Sequence, residues 1–301
     1  MRHATFRQLE IFEAIARHLS FTRAAETLHL TQPTVSMQMK KLADGVGEPL
    51  VHQTGKRIEL TETGQALAVA ARDIFTVLER FEDDMAARRG LRRGRLRLAA
   101  VTTASYFAPR LLGEFARLHP GIEVSLRVCN REQLIASLNE HLDELYILGT
   151  PPEDAALVAH PFMENPLVAI AAPDHPLAGR RGIGLAELAE QPWLLREPGS
   201  GTRKAVEKLF AEHELTVHPR LELGSNEAIK QAVLAGLGIS ALSKQALELH
   251  PPGQFAILDA KDFPIRRHWF IARPVGAQHS AAASAFEQHL LAARPTASTM
   301  R

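Results

Sequence analysis

A heptad repeat between residues 62 and 90 is the strongest periodic signal in this chain. Its apolar positions recur at alternating intervals of four and three residues: Leu67, Ala71, Ile74, Leu78, Phe81 and Met85. A helix of about 28 residues is roughly 42 Å long, which is more than a small neighbouring domain can cover. We therefore predict that this seam pairs with a second copy of the chain. The alternative is a long helix that lies on its own neighbouring domain.

The repeat divides the chain into three predicted domains. Residues 1–61 carry short helical patterns, and residues 62–94 form the long linker helix and a hinge. Residues 95–301 alternate between strand-like and helix-like segments, so we expect them to form a separate domain.

Composition limits the classes of function. The chain is 46% apolar and 23% charged, as globular proteins are, and its formal net charge of +1 requires any nucleic-acid-binding surface to be local. Its single cysteine, Cys129, excludes a disulfide framework and a zinc site built on two thiolates. We find no apolar segment typical of a signal peptide or a membrane span. We therefore expect a soluble, cytoplasmic protein without a membrane partner.

Three short helices are predicted in the first sixty residues. Apolar residues at helical spacing predict an amphipathic helix over residues 6–18. Ser20 or Thr22 is expected to cap the second helix, and Thr31 precedes a third helix with Pro33 in its first turn. The third helix directs its apolar residues inward and leaves a polar face outward.

This outward face is a candidate for reading DNA in the major groove. Gln, Ser and Thr side chains can hydrogen-bond to base edges, while lysines and a helix N-terminus bind phosphates. The candidate DNA-binding residues of the helices are Thr22, Thr31, Gln32, Pro33, Thr34, Ser36, Met37, Gln38 and Lys40. The spacing alone fits a small helical bundle with a solvated polar face equally well.

A predicted hairpin after the third helix favours the DNA-binding interpretation. Apolar residues at 50–51 and 58–60 flank a glycine-containing turn that carries Lys56 and Arg57. These two side chains would lie where a wing contacts the minor groove or the DNA backbone. We therefore predict a winged helix-turn-helix domain over residues 1–61.

Residues 95–301 predict a two-lobed α/β domain. Its strands and helices alternate, which implies a parallel sheet with helices on both faces in each lobe. We assign residues 95–165 and 266–301 to lobe I, and residues 166–265 to lobe II.

Three turns in this domain are candidates for binding a small anion. Each is rich in hydroxyl groups or glycine and follows a predicted strand: residues 102–105, 199–202 and 224–226. Backbone N–H groups at such helix starts suit a carboxylate or a phosphate. With polar residues near other strand ends, the candidate ligand-binding set is Thr102, Thr103, Ser105, Asn130, Arg131, Gly149, Arg196, Ser200, Gly201, Thr202, Arg203 and Asn226. Each turn alone could also be an ordinary helix cap.

Motifs of catalysis are missing from the sequence. Residues 199–204 (GSGTRK) lack the Gly-Lys-Ser/Thr ending of a P-loop, and we find neither a nucleophile elbow nor a metal-spaced set of His and Cys. We therefore expect a protein that is not an enzyme and needs no cofactor or metal.

Three N-terminal motifs resemble those of the LysR-type transcriptional regulators: residues 21–25 (FTRAA), 30–42 (LTQPTVSMQMKKL) and 60–64 (LTETG). The resemblance covers the whole chain in order, with a winged helix, a long linker helix and an effector domain of the periplasmic-binding-protein type. It implies a homodimer or homotetramer that binds double-stranded operator DNA, responds to a small anionic effector and contacts RNA polymerase.

Later segments are similar to the CbbR branch of that family, which activates the operon for ribulose-bisphosphate carboxylase: residues 106–109 (YFAP), 130–132 (NRE), 196–203 (REPGSGTR) and 224–233 (GSNEAIKQAV). This similarity implies a carbon-fixation operon as the target and a phosphorylated metabolite or NADPH as the effector. Residues 50–53 (LVHQ) depart from the family's usual Leu-Phe-x-Arg at the start of the wing.

Other functions remain open from the sequence. A LysR-type regulator of another pathway would sense an amino acid or an aromatic acid. An α/β enzyme tethered to DNA would turn over its ligand, which the missing catalytic motifs disfavour. A solute-binding transport protein would need an export signal, and we recognise none.

Overall fold

The computed structural model describes residues 4–54, 57–88, 94–152, 155–277 and 280–292; of residues 53–54, 79–80 and 82–88 it describes the backbone alone. Among the helices of these ranges, none combines the length and apolar character that crossing a membrane requires.

The chain divides into two units, which we describe separately. The first comprises residues 1–89 with the short segments 140–142 and 276–280. The second comprises residues 90–139, 143–275 and 281–301.

Three helices build the N-terminal motif that the sequence predicts. They are α1 (Phe6–His18), α2 (Phe21–Thr27) and α3 (Gln32–Val46). The predicted helix over residues 6–18 is confirmed. Ser20, not Thr22, caps α2, since its hydroxyl accepts a hydrogen bond from the first turn of that helix.

The apolar residues of these helices meet in one core. Phe12 and Ile15 of α1 are fully buried there, and α3 contributes Val35, Met39 and Leu42. Because these three recur at helical spacing, the opposite side of α3 remains polar and exposed.

An antiparallel hairpin follows α3, as predicted. Strand β1 (Val51–Thr54) pairs with β2 (Arg57–Leu60), and Ile58 is buried beneath it. The next helix begins very close to the hairpin. A Cβ on Gly64 would lie 2.0 Å from the Leu50 carbonyl oxygen, so only glycine fits at this position.

The first half of the long helix, α4 (Glu62–Arg88), belongs to the same core. Leu67 and Ala71 are buried in it, and Ile74 packs against its edge. This corrects the expectation that Leu67 and Ala71 pair with a second chain, because the winged-helix core already covers both side chains.

The second half of α4 keeps its apolar positions exposed. Leu78 is 41% exposed and Phe81 is 63% exposed. The side chain of Met85 lies outside the described residues. The predicted interchain seam is therefore limited, on the described side chains, to this second half.

Lobe I of the second unit contains a mixed five-stranded sheet. Its strands are β3 (Gly94–Val101), β4 (Ile122–Cys129), β5 (Leu145–Leu148), β6 (Leu157–Glu164) and β12 (His268–Pro274). Their order is β4–β3–β5–β12–β6. β3 is parallel to β4 and β5, but β12 is antiparallel to β5 and β6. The expected wholly parallel sheet is wrong, because β12 returns from lobe II and inserts in the opposite direction.

Helices cover both faces of this sheet, as predicted. Helices α5 (Ala108–Leu118) and α10 (Ala281–Ala292) pack on one face, and α6 (Arg131–Asn139) packs on the other. Cys129 is buried among the apolar residues beneath α6, where it acts as a small hydrophobic side chain.

Lobe II has a more divided sheet. Its strands are β7 (Leu167–Ala171), β8 (Trp193–Arg196), β9 (Pro219–Leu223), β10 (Ser240–Ser243) and β11 (Ala256–Ile257). β8 and β9 are parallel, whereas β7 pairs antiparallel with β10 and β11. The short α7 (Leu185–Ala189) precedes β8, and α8 (Gly201–Ala211) and α9 (Asn226–Leu234) pack in two different apolar clusters.

The chain passes between the lobes twice, and the two connecting segments lie side by side. Asn165 follows β6 on the way into lobe II, and Arg267 precedes β12 on the return. The Asn165 N–H donates to the Arg267 carbonyl at 2.8 Å. This pairing brings two polar side chains from distant parts of the sequence to the base of the space between the lobes.

Candidate functional site

The polar side of α3 forms one wall of a surface groove, and the start of α2 and the hairpin form the others. Gln32, Ser36 and Lys40 lie one helical turn apart along this wall, and the Gln32 amide donates to the Ser36 hydroxyl at 3.0 Å. Thr22 lines the groove from α2. The fold thus brings together four of the residues predicted to contact DNA.

Other predicted DNA-binding residues of α3 lie outside the groove lining. The Thr31 and Thr34 hydroxyls pair at 2.8 Å, and Thr31 does not cap the first turn of α3. The Gln38 side chain accepts a hydrogen bond from the Gln8 amide at 3.2 Å, which ties it to α1. The first turn of α3 therefore lacks a side-chain cap from Thr31, and its backbone N–H groups can bind an anion such as a phosphate.

The remaining predicted DNA-binding residues are solvent-exposed or undescribed. Pro33 and Met37 are exposed on α3. Arg57 is exposed on the hairpin, where it pairs with Glu59 at 3.0 Å. Lys56 lies outside the described residues.

A second candidate site is a cavity of about 40 Å³ between the two lobes. Its walls come from the ends of β3, β5 and β8 and from the start of α8. The lining includes eight residues that the sequence predicts for ligand binding: Thr102, Thr103, Arg131, Gly149, Arg196, Ser200, Gly201 and Thr202. The predicted turns at 102–105 and 199–202 therefore face one common space.

Six further residues line the cavity that we did not predict from the sequence: Val101, Thr150, Asn165, Glu197, Arg267 and Trp269. Asn165 and Arg267 stand on the two segments that connect the lobes. A signal for them existed in the predicted lobe boundaries, since a cavity between two lobes lies over the segments that join them.

Three of these missed residues carry buried polar atoms that lack a partner. Asn165 has no exposed surface, and neither atom of its amide group finds a hydrogen-bond partner among the described residues. The Trp269 Nε1 and the Arg267 Nε are also buried and have no hydrogen-bond partner among the described residues. An unpaired buried polar group costs about 1–3 kcal/mol, so a ligand that bonds to such groups is favoured.

Positive charge dominates the cavity lining. Arg131, Arg196 and Arg267 contribute three guanidinium groups, whereas the Glu197 carboxylate is already paired with the Arg196 Nε at 2.7 Å. Burial and the charge of nearby Arg131 lower the pKa of Arg267 to about 10. Burial also lowers the pKa of Arg131. At neutral pH Arg267 remains a cation, and an anionic ligand would offset the excess charge.

A buried network joins the lobes beside the cavity. Arg196 is 3% exposed and donates to the Asn226 side-chain oxygen at 2.6 Å and to the Thr102 hydroxyl at 3.4 Å. Asn226 in turn donates to the Thr103 hydroxyl at 3.1 Å. Asn226 does not belong to the described cavity lining, but it positions Arg196 and Thr103, which do.

Three residues predicted to bind the ligand are occupied elsewhere. Arg203 forms ion pairs at 2.6 Å with two glutamates, one on α8 and one on β9. Asn130 accepts a hydrogen bond from the first turn of α6, and Ser105 donates to the Thr102 carbonyl within the 3₁₀ helix Thr102–Tyr106. These local partners explain why none of the three appears in the described cavity lining. Within the same described ranges, no group of three or more His, Cys, Asp or Glu is arranged to hold a metal ion.

Comparison with protein families gives two matches that together cover most of the chain. Residues 6–65 match the model of the bacterial regulatory helix-turn-helix protein, lysR family, and residues 89–295 match the LysR substrate binding domain. The groove lies in the first match and the cavity in the second.

Similar proteins cover from about two thirds to nearly all of this chain. The RuBisCO operon transcriptional regulator of Acidithiobacillus ferrooxidans is 48% identical over 97% of this chain and 95% of its own. The Synechocystis CcmR regulatory domain, solved in complex with 2-PG, is 49% identical and covers 68% of this chain and 99% of its own, with a TM-score of 0.65. A full-length OxyR variant from Pseudomonas aeruginosa is 23% identical, covers 96% of this chain and 95% of its own, and has a TM-score of 0.79.

Proposed function

The chain belongs to the LysR family of bacterial regulatory helix-turn-helix proteins, and from this membership we propose that it regulates transcription of a carbon-fixation operon. The observation that carries this proposal is the 48% identity, over 97% of the chain, with a RuBisCO operon transcriptional regulator. The target is then the operon for ribulose-bisphosphate carboxylase, and the expected action is activation.

The groove beside α3 is the proposed DNA-binding surface. Gln32 and Ser36 would meet base edges in the major groove, while Lys40 and the start of α3 would meet phosphates. A homodimer, held together by the exposed half of α4 around Leu78 and Phe81, would place two such helices on an interrupted dyad. RNA polymerase is the proposed protein partner of the DNA-bound oligomer.

The cavity between the lobes is the proposed effector site, and a small phosphorylated acid is the proposed effector. Its lining arginines supply positive charge that a phosphate and a carboxylate would offset. The cavity volume of about 40 Å³ lies well below the roughly 300–1,000 Å³ of pockets for drug-sized ligands, so we favour a compact acid such as 2-phosphoglycolate over NADPH. The complex of the CcmR regulatory domain with 2-PG supports the same choice.

The effector would act by changing the populations of lobe arrangements. Its contacts come from both lobes, so it binds best where the two sets of residues are close together. The arrangement of the lobes that the effector favours would change the spacing of the two DNA half-sites or the bend of the DNA. It would thereby change the contact with RNA polymerase.

Selection of bound DNA tests the regulatory target. The purified full chain is incubated with sheared genomic DNA from its own host, and retained fragments are sequenced with and without 2-phosphoglycolate. We expect enrichment upstream of genes for ribulose-bisphosphate carboxylase or other carbon-fixation enzymes. Enrichment confined to unrelated operons would overturn the proposed target while leaving the family membership intact.

Calorimetric titration of the full chain tests the effector class. The compounds are 2-phosphoglycolate, inorganic phosphate, NADPH, glutamate and benzoate. We expect 2-phosphoglycolate to bind most tightly and the two unphosphorylated acids not to bind. Tight binding of benzoate or glutamate alone would contradict the phosphorylated effector.

A further inference from the structure

A cluster of polar side chains joins the two lobes next to the effector cavity but outside its described lining. Tyr106 ends the 3₁₀ helix Thr102–Tyr106 of lobe I, while Glu227 and Lys230 lie in the first turns of α9 in lobe II. The Tyr106 hydroxyl donates to Glu227 Oε1 at 2.7 Å across the lobes.

The lobe II side of this cluster is rigidly held. Lys230 is 1% exposed, and its Nζ lies 2.6 Å from the same Glu227 oxygen. Its other hydrogen-bond partners are the Ala246 carbonyl at 3.1 Å and the His250 Nε2 at 2.7 Å, and its Nζ also lies 4.8 Å from the centroid of the Tyr106 ring. Lys230 is therefore fixed within lobe II, and it fixes the carboxylate that Tyr106 reaches.

The protonation states favour a strong contact. Burial raises the pKa of Glu227, but the hydrogen bonds from Lys230 and Tyr106 outweigh it, so that the pKa lies below its usual range. Burial and the bond to Glu227 raise the pKa of Tyr106. At neutral pH a phenol thus donates to a carboxylate, and such charge-assisted hydrogen bonds are shorter and stronger than neutral ones.

This contact is coupled to the effector cavity through the backbone on both sides. Thr102 and Thr103, which line the cavity, belong to the same 3₁₀ helix as Tyr106. Asn226, which bonds to Thr103 and Arg196, directly precedes Glu227. A shift of Tyr106 away from Glu227 would therefore separate the cavity's threonines from Arg196.

We propose that Tyr106 is a positioning residue for the effector: held by Glu227, it keeps Thr102 and Thr103 close to Arg196 and so raises effector affinity without touching the effector. This inference rests on the proposed function, because it takes the cavity as the effector site. Its physical basis is a population effect. When only a fraction of the molecules has the binding-competent arrangement of the lobes, the apparent affinity falls by that fraction.

Calorimetric titration of the full chain with 2-phosphoglycolate provides the first test. We expect Tyr106→Phe, which deletes one oxygen, to raise the Kd about tenfold or more, as the loss of one hydrogen bond to a charged group predicts. The matched control is Tyr146→Phe, since the other tyrosine of the chain bonds, among the described residues, only within lobe I, to the Ser137 carbonyl and the Asp143 N–H. We expect this control to leave the Kd within twofold.

A double-mutant cycle separates positioning from a general structural effect. In a Glu227→Ala background, we expect Tyr106→Phe to change the Kd less than twofold, because the contact is already missing. An unchanged Kd in Tyr106→Phe alone, or a full effect that persists in the Glu227→Ala background, would overturn the proposal.

A distance measurement in the absence of effector tests the contact between Tyr106 and Glu227 independently of which effector binds. Spin labels on Arg117→Cys in lobe I and Lys208→Cys in lobe II, in a Cys129→Ser chain diluted with unlabelled protein, report the distance between the lobes. We expect Tyr106→Phe to lengthen or broaden that distance and Tyr146→Phe to leave it unchanged. If the native chain does not bind 2-phosphoglycolate but the distance responds, the proposed effector fails and the positioning contact stands. An unchanged distance would refute the contact itself.

Discussion

The groove beside α3 and the cavity between the lobes are built in opposite ways. The groove takes Gln32, Ser36 and Lys40 from one helix, one turn apart. The cavity takes Arg196 and Arg267 from segments that only the tertiary fold brings together. The first site is a property of a local sequence pattern, and the second is a property of two lobes and their connections.

The two sites also differ in how their polar groups are satisfied without a ligand. Gln32 and Ser36 pair with each other in a groove on the surface. Asn165 is fully buried, and its amide has no hydrogen-bond partner in the described part of the chain. Water can satisfy the groove, whereas the cavity carries a desolvation cost that a ligand can offset. Effector binding is therefore expected to change stability and lobe arrangement more than DNA binding does.

Leu67→Ala tests whether the two sites are energetically separate, and it has the largest expected effect. Leu67 is buried in the core that supports α3, so its truncation should lower the free energy of unfolding of the first unit by about 2–5 kcal/mol. Denaturant unfolding measures this loss, and calorimetry should give an unchanged effector Kd. The control Phe6→Ala removes a side chain of α1 that is 59% exposed, and it should change stability by less than about 0.5 kcal/mol. A weakened effector affinity in Leu67→Ala would show that the two sites are coupled through the fold.

The double variant Gln32→Ala/Ser36→Ala tests the local site. Each lost contact to a base edge is worth about 1–3 kcal/mol, so we expect operator affinity to fall about 100-fold. Binding to unrelated DNA should fall less than threefold, because phosphate contacts remain. Fluorescence anisotropy with both DNAs at one salt concentration measures the two losses, and Gln65→Ala, on the exposed side of α4, is the control. Equal losses on both DNAs would exclude a base-reading role.

The same contrast explains how far the sequence could predict the molecule. The helix over residues 6–18, the hairpin and the polar side of α3 follow from local periodicity and turn residues, and all are present. The covered half of α4 was mispredicted, because a heptad repeat does not reveal whether its partner is another chain or the same domain.

Tertiary placement explains the other differences. The direction of β12 depends on a return from lobe II, which no local pattern encodes. Arg203 has the residue type of an anion-binding side chain, but two nearby glutamates neutralise it. Asn165 and Arg267 carry no motif, and only the pairing of the two connecting segments brings them to the cavity.

Arg267→Gln sharpens this contrast in the assembled site. A hydrogen bond to a charged group is worth about 1.5–3 kcal/mol, so we expect the Kd for 2-phosphoglycolate to rise about tenfold or more. Arg203→Gln makes the same chemical change at a residue outside the described cavity lining, and it should leave the Kd within twofold. Calorimetry measures the Kd for 2-phosphoglycolate of both variants, and their melting temperatures check that both are folded. A larger effect at Arg203 would mean that the sequence motif identifies the site better than the cavity does.

Gly149→Ala makes the smallest change, because it alters the geometry of the cavity without removing a charge or a hydrogen bond. A Cβ at this position would lie 3.0 Å from the Asn165 Nδ2 and 3.7 Å from Trp269, so the Asn165 amide must move by a few tenths of an ångström. If that amide binds the effector, its displacement should raise the Kd about threefold, since misplaced polar contacts weaken a hydrogen bond without abolishing it. Gly113→Ala on α5 adds the same methyl group where nothing lies within 4 Å, and it should leave the Kd unchanged. Equal Kd values for the two variants would mean that Asn165 does not contact the effector, and its unpaired amide would then need another explanation.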